Sequence, residues 1–368
     1  MGSIGETGKL GFGLMRLPHR LAATDIKQTC QMVDAFLEAG FTYFDTARIY
    51  PGSEEATAKA LVKRHPRESY TLASKLYAPF ATSKSAAHKQ FETTLKKTGA
   101  EYLDYYLMHS LSEATYRKYD KLDLWNFAQK KKQEGLIRHV GFSFHAGPDL
   151  LEQILTEHPE AEFVQLQLNY ADWENPQVTS RANYEVARKH DIPIVVMEPV
   201  KGGRLAKPPQ EALQVMRAAN PALSPASWAI RFVASLEGVL TVLSGMSNMQ
   251  QVEDNLSYMR DFKPLDADER KVVQQLQRIM RDSPLIPCTD CRYCTKGCPQ
   301  NIPIPQVFEA MNLRLGNGQI QESQAAYEKA VAGHGRASDC IQCGQCNDAC
   351  TQGIDIMERL AEVAAAMD

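Results

Sequence analysis

Eight short apolar runs alternate with amphipathic helical stretches over roughly the first 280 residues, and they predict an α/β chain folded as a (β/α)8 TIM barrel. Two cysteine runs of identical internal spacing follow, and they predict a small α-helical, ferredoxin-like iron–sulfur domain. The texture changes at Asp282-Ser283-Pro284, which divides the chain into a barrel over 1–280 and an iron–sulfur domain over 281–368. A doubly wound open sheet is the alternative for such alternation. No Gly-x-Gly-x-x-Gly follows the first strand, which counts against it.

The expected strands are Leu10–Met15, Phe41–Phe44, Tyr70–Ser74, Tyr102–Met108, Ile137–Phe142, Phe163–Leu168, Pro193–Met197 and Val239–Leu243. Helical periodicity fills the intervals. Asp25–Ala39 carries Ile26, Cys30, Val33 and Leu37 on one face, with Thr24 or Asp25 as cap and Gly40 as stop. Similar helices are Ser53–His65, Ser83–Thr98 (ended by Gly99), Leu122–Glu134 (ended by Gly135), Pro148–His158, Thr179–His190 and Pro225–Ser235. Met249–Met259 and Ala267–Met280 follow the eighth strand. Between the cysteine runs lie two helices, about Pro305–Leu315 and Gln321–Ala332, parted by Gly316-Asn317-Gly318, and a last one covers Asp355–Ala366. The basic and aromatic segment holding Tyr116, Arg117, Lys118, Tyr119, Lys121 and Trp125 reads as a solvated loop, with a part in shaping substrate choice as the alternative.

The cysteine runs are Cys288-x2-Cys291-x2-Cys294-x3-Cys298-Pro299 and Cys340-x2-Cys343-x2-Cys346-x3-Cys350. This is the spacing that holds [4Fe–4S] clusters in bacterial ferredoxins, where the fourth cysteine of each run ligates the other cluster. One cluster is therefore expected on Cys288, Cys291, Cys294 and Cys350, and a second on Cys340, Cys343, Cys346 and Cys298. Structural zinc would leave part of each run idle. Disulfides fit neither the short spacings nor a chain without a secretory signal. The ninth cysteine, Cys30, belongs to a helix's apolar face and reads as core.

Composition is that of an ordinary globular protein, with 44% hydrophobic and 23% charged residues. A net charge of -3 favours neither nucleic acid nor an anionic membrane as partner. No apolar run reaches membrane-spanning length. The opening residues Met1–Glu6 lack the apolar core of a signal peptide, and Glu6 breaks the myristoylation pattern. Thiolates holding iron point to a reducing cytoplasm.

Asp45 ends the second predicted strand, Lys75 the third and His109 the fourth, while Ser143 follows the fifth and Tyr50 lies on the loop beyond Asp45. In a barrel these ends converge on one face, where active sites lie. The motifs Gly11-Phe12-Gly13-Leu14-Met15-Arg16, Phe44-Asp45-Thr46-Ala47-Arg48-Ile49-Tyr50, Ser74-Lys75 and Leu107-Met108-His109 resemble the aldo/keto reductase family over about residues 8–260. With the cysteine runs, the chain resembles the ferredoxin-containing branch of that family. The resemblance implies an oxidoreductase that moves hydride between a nicotinamide cofactor and a small carbonyl or alcohol. Asp45, Tyr50, Lys75 and His109 would be its catalytic tetrad. Tyr50 would donate a proton to the developing alkoxide. Lys75, held by Asp45, would lower the tyrosine's pKa, and His109 would orient the substrate oxygen. A family branch that reduces activated C=C bonds carries Glu at the His109 position, so histidine there favours carbonyl chemistry.

The resemblance also implies a nucleotide site with Gly13, Met15 and Arg16 at the end of the first strand. Ser143 and Gln165 would bind the nicotinamide carboxamide, and Asn169 would line the substrate side. Met197 stands where the family often stacks an aromatic ring, and either packs on the nicotinamide or is plain core. Gly202, with Gly203, either admits the pyrophosphate or only makes a turn. Gly245, Ser247, Gln251 and Asn255 fall in the family's adenosine-phosphate segment. NADPH-preferring members often place Lys and Arg where this chain has Met246 and Gln251, so NADP and NAD both stay open.

Three readings follow. The first is a reductase coupled to its two clusters for electron transfer, with a ferredoxin or other redox partner. The second is a simple NAD(P)H carbonyl reductase whose clusters are structural. The third is a non-catalytic redox-sensing or electron-transfer module. A flavin could reconcile two-electron with one-electron chemistry, but the chain carries no flavin signature.

Overall fold

The computed structural model describes residues 8–21 and 23–368; the opening residues read above for targeting signals lie outside them. Its framework is a closed parallel barrel in the order β1, β4, β5, β6, β7, β8, β9, β10. The strands are β1 (Leu10–Gly13), β4 (Tyr43–Asp45), β5 (Thr71–Leu76), β6 (Leu103–Leu111), β7 (Ile137–Phe144), β8 (Phe163–Gln167), β9 (Ile194–Met197) and β10 (Val239–Ser244). β1 closes the ring on β10, with Leu10 opposite Val242 and Phe12 opposite Ser244. A short hairpin, β2 (His19–Arg20) and β3 (Ala23–Thr24), interrupts the path to the first helix.

Buried β-branched and aromatic residues explain why these runs become strands. Tyr43, Ala73, Tyr105, Leu107, Phe163, Val195 and Leu243 form one apolar cluster. It is a filled interior and not a pore, with Tyr105 touching Tyr43 and Phe163 at ring separations of 5.1 and 5.0 Å. The alternate residues, among them Phe12, Phe44, Leu72 and Tyr106, join a second and larger cluster with helix residues such as Phe36 and Phe91. The period of two along each strand thus sorts side chains into these two layers.

Local signals set the helix ends. In α1 (Ile26–Glu38) the Asp25 carboxylate accepts from Gln28 N–H at 3.0 Å. In α3 (Lys84–Thr98) Ser83 caps the start and Gly99, at φ 70°, ends the helix. Four details depart from the sequence reading. The second helical run splits into α2 (Ser53–Thr57) and a π-turn (Ala58–Val62). The segment expected to be a solvated loop forms the helix α4 (Tyr116–Lys121), because Tyr119 is buried and its hydroxyl bonds the main chain of His109, Leu76 and Ala78. An unforeseen helix, Gln210–Ala219, buries Ala212 and Met216. The helix Ile304–Asn317 runs through Gly316 and is capped by Gly318 at φ 63°, so only the second glycine acts as the stop.

Beyond Arg281 the chain builds a separate apolar cluster from Ile302, Ile304, Val307, Phe308, Tyr327, Leu360 and Val363, with Cys294 and Cys346 inside it. The helices Ile304–Asn317, Ile320–Val331 and Ile356–Met367 supply most of it. Among the described residues no helix is long and apolar enough to cross a membrane.

Candidate active site and cluster centres

Parallel strands bring their C-terminal ends to one face. Asp45 is the last residue of β4 and Lys75 lies near the end of β5. His109 and Ser143 fall inside β6 and β7, which run further than their apolar patterns suggested. Lys75 is wholly buried and ion-paired with Asp45, and it also donates to Thr46 O at 2.8 Å. The second Asp45 oxygen accepts from Gln165 Nε2 at 3.4 Å. Burial pushes the Asp45 carboxyl up and the Lys75 ammonium down, and the contact between them opposes both shifts. A pair so placed is held by mutual need. Lys75→Met strands a buried carboxylate and is expected to destabilise the fold by about 3–5 kcal/mol. Urea unfolding followed by circular dichroism reads that loss.

Tyr50 stands on the loop after β4, its N–H bonded to Ala47 O at 3.0 Å. The Lys75 ammonium sits 5.0 Å from the centre of its ring, and the His109 ring meets it edge-on at 5.8 Å. Its phenol is pushed well above the ordinary value, by burial first, then by Tyr293, Asp45 and Glu198, against a lowering by Arg16. This differs from the expected depression by Lys75. The physical reason is that burial, joined by the negative charges of Asp45 and Glu198, decides, and Tyr50 keeps its proton near neutral pH. His109 is held well below the ordinary histidine range by burial, then by Lys75 and His145, and is a neutral ring. Its Nδ1 has no partner.

A cavity of about 530 Å³ opens from this tetrad, within the usual range for cofactor sites. Of the expected residues, Asp45, Tyr50, His109, Gly13, Met15, Arg16, Gln165, Met197, Gly202, Gly245, Ser247, Gln251 and Asn255 line it. Lys75 lies beneath the floor. Ser143 stands behind the wall, its hydroxyl accepting from Ser110 N–H at 2.7 Å. Asn169 is not in the lining and instead donates to Asp172 and to Glu198 O. The far end is ordered by short polar links: Ser247 Oγ donates to Arg16 O at 2.6 Å, and Asn255 Nδ2 to Gln251 O at 2.7 Å. Asn255 Oδ1 and Glu198 Oε2 are buried without partners, acceptors that a bound molecule could satisfy.

Several lining residues escaped the sequence reading. His145 lies two residues past Ser143, and burial pushes its ring down to about 4. Glu198, next to Met197, is pushed up by burial. Cys291, Tyr293 and Thr351 belong to the cysteine-rich segment and line the same cavity. Nothing local in the sequence announces them, since their place depends on how that segment docks.

The docking is specific. Arg16 donates to Thr289 O at 2.6 Å. Gly202, at φ 63°, lies so close to Thr289 that a Cβ would come within 2.5 Å of its carbonyl oxygen, so the absent side chain admits the cluster loop. Gln352 bonds Gln167 at 3.2 Å and accepts from Lys201 at 3.0 Å. Lys201 is itself ion-paired with Asp172, all four groups being buried.

The thiols fall into two crossed sets. Cys288 has Cys291 and Cys350 as its electrostatic neighbours, and Cys294 has Cys291, Cys288 and Cys350. Cys298, Cys340, Cys343 and Cys346 line one small cavity with Ile302, Ile304 and Leu360. All nine cysteines are free. Among the described residues no three sulfurs lie mutually within 4.8 Å. Burial raises the Cys288 thiol to about 11, a cost that ligation to iron would remove.

The family model described as the aldo/keto reductase family matches residues 9–278. The chain belongs to the aldo/keto reductase family. A second model, described as a 4Fe-4S dicluster domain, matches residues 287–354, so this aldo/keto reductase carries a C-terminal 4Fe-4S dicluster domain. An aldo-keto reductase of Mycolicibacterium vanbaalenii is 30% identical over 261 residues, 69% of this chain and 85% of that protein. One from Mycolicibacterium paratuberculosis is 28% identical over 281 residues, 74% of this chain and 88% of its own. The holo form of an aldo-keto reductase from Bacillus halodurans superposes with a TM-score of 0.58 at 25% identity, covering 73% of this chain and 91% of that one. An aldo/keto reductase from Klebsiella pneumoniae in complex with NADP and acetate gives a TM-score of 0.59 at 22% identity, over 73% and 90%, and supports the fold.

Proposed function

We propose that this aldo/keto reductase moves hydride between a nicotinamide cofactor and a small carbonyl or alcohol, and that two [4Fe–4S] clusters exchange electrons at the same site. The observation that carries this reading is one cavity lined by Tyr50, His109 and Cys291. The division of labour is a barrel over 1–280 and a cluster domain over 281–368. Asp45, Tyr50, Lys75 and His109 form the tetrad. The eight cysteines hold the clusters in the crossed sets of 288, 291, 294, 350 and 298, 340, 343, 346.

When bound, nicotinamide supplies or takes up a hydride, and the clusters supply or take up single electrons. Tyr50 holds the proton that neutralises the developing alkoxide. The neutral His109 ring orients that oxygen as a hydrogen-bond donor. Lys75 and Asp45 fix the floor beneath the tyrosine. Arg16, Gln165, Gln251 and Asn255 hold the nucleotide. Anaerobic assay of small aldehydes with NADH and NADPH tests the reading. Oxidation of either nucleotide that depends on the aldehyde is expected, and none with any carbonyl would overturn it.

Charge at the far end of the cavity supports NADH over NADPH. Asp254 lines the far end beside Gln251 and Asn255 and accepts from Ser224 at 2.8 Å. Arg16 is the only lysine or arginine among the described lining residues. A carboxylate there suits a ribose 2′-hydroxyl and repels a 2′-phosphate. NADH is expected to bind at least ~10-fold more tightly than NADPH, a difference of about 1.4 kcal/mol. Gln251→Arg should narrow the gap, as titrations of nucleotide fluorescence would record.

A further inference from the structure

The two cysteine sets face opposite ways. Cys291 borders the active-site cavity, and its loop is pinned to the barrel through Thr289. The second run crosses the domain. Gln352, just past Cys350, is buried against Gln167 of the barrel, whereas Cys343 is the only exposed thiol of the nine. Around Cys343 the backbone bends twice through the left-handed region, at Gln342 (φ 54°) and Gly344 (φ 82°). Ile341, Gln342 and Cys343 form one wall of the small cavity that Cys298, Cys340 and Cys346 also line, so that wall is the surface loop itself. The loop presents an apolar point inside an acidic rim. Ile341 is 58% exposed, one of four large apolar side chains left so among the described residues. Between 336 and 359 stand Asp339, Asp348, Asp355 and Glu358. The arginines of that stretch are already paired, Arg336 with Glu328 and Asp368, and Arg359 with Glu362. Asp348 and Glu358 are exposed and join none of the ion pairs among the described residues. Lys296, on the turn Thr295–Gly297 that packs on the helix Gln345–Asp348, offsets only part of this charge. Residues 281–368 as a whole carry eleven Asp and Glu against seven Lys and Arg.

We infer that the Ile341–Cys343 loop is the docking surface for a one-electron carrier protein whose own cofactor is ringed by lysine and arginine, and that electrons pass between this carrier and the active site by way of the outer cysteine set. Opposite charge speeds such an encounter and orients it. A small face, with one apolar contact and a polar rim, suits the brief contact of redox partners, which bury little surface. A carrier as acidic as this domain would be repelled. Each encounter moves one electron, oxidising one partner and reducing the other. Two encounters therefore exchange the electron pair of one hydride, whose proton passes to or from solvent. This inference rests on the electron-exchange reading above.

The test takes the full-length, cluster-loaded protein, reduced anaerobically with dithionite, and a lysine-rich cytochrome c as the basic carrier. Carbodiimide coupling of carboxylates to lysines, mapped by mass spectrometry, locates the contact without any turnover, and cross-links at Asp348 and Glu358 are expected. Stopped-flow absorbance of the haem gives the rate of transfer, which should fall as salt rises. At the ionic strength where the Debye length is about 10 Å, only nearby charges count. There Asp348→Lys should slow transfer by roughly 3- to 10-fold. Glu322→Lys makes the same charge change on the first turn of the helix Ile320–Val331 and should alter the rate by less than about twofold. Iron content is to match wild type, and Glu358→Lys, on the separate helix Ile356–Met367, carries the same expectation should Asp348→Lys lose iron. Cross-links confined to other carboxylates, or an equal loss of rate in Glu322→Lys, would overturn the docking surface and leave the electron-exchange reading standing. Iron that passes dithionite electrons to the cytochrome but takes none from NADH or NADPH would overturn that reading, and the route through the loop with it.

Discussion

Tyr50→Phe is expected to lower carbonyl turnover by roughly 10²- to 10⁴-fold, the usual share of a positioned general acid, while the nucleotide dissociation constant changes by less than ~3-fold. The substitution removes one oxygen and keeps the ring. The edge-on contact with His109 and the approach of the Lys75 ammonium to the ring survive it. What goes is the proton that burial keeps on the phenol. To replace it, the neutral His109 ring would have to give up its own N–H. Turnover within about threefold of wild type would remove Tyr50 as the acid. A large rise in the nucleotide dissociation constant would assign it to binding instead.

The second large effect concerns the clusters. If the thiols ligate in crossed sets, Cys288→Ala and Cys350→Ala should lose the same cluster although 62 positions separate them in sequence numbering, and Cys298→Ala should lose the other. Each variant is expected to drop from about eight iron atoms per chain to about four. Their electron paramagnetic resonance spectra after reduction should sort them, with Cys288→Ala and Cys350→Ala alike and Cys298→Ala different. The set containing Cys291 is the one that borders the active-site cavity. Cys350→Ala should therefore abolish any reduction of iron by nicotinamide, and Cys298→Ala should leave the bordering cluster responsive. Identical spectra for Cys298→Ala and Cys288→Ala would mean that each run holds its own cluster.

The barrel was legible because its signals are local and repeated. Phe163–Leu168 and Pro193–Met197 read as strands from apolar runs alone, against the observed Phe163–Gln167 and Ile194–Met197, and Asp45 and Lys75 announce themselves as polar residues ending such runs. The cysteine spacing was legible because ligand geometry constrains it. Tyr119 was not, since its burial is masked by Arg117, Lys118 and Lys121 on the same turn. Neither was the role of Gly202: its sequence allowed a pyrophosphate contact or a turn, while the space beside it is taken by Thr289, 87 positions away. Tyr293, Cys291 and Glu198 enter the site through the docking of one unit on another, which no periodicity encodes. The depressed tyrosine pKa failed as an expectation for a related reason, because burial, which no motif announces, outweighs the charges around the ring.

The central claim is that the hydride site and the iron–sulfur centres share one cavity and exchange electrons there. The most direct test adds NADH, then NADPH, to the anaerobic protein and follows absorbance near 400 nm together with electron paramagnetic resonance. The account predicts bleaching and a reduced-cluster signal, stronger with NADH and absent in Cys350→Ala. Aldehyde turnover with iron that stays oxidised throughout would contradict it, and would leave the clusters as the fastening of a simple reductase.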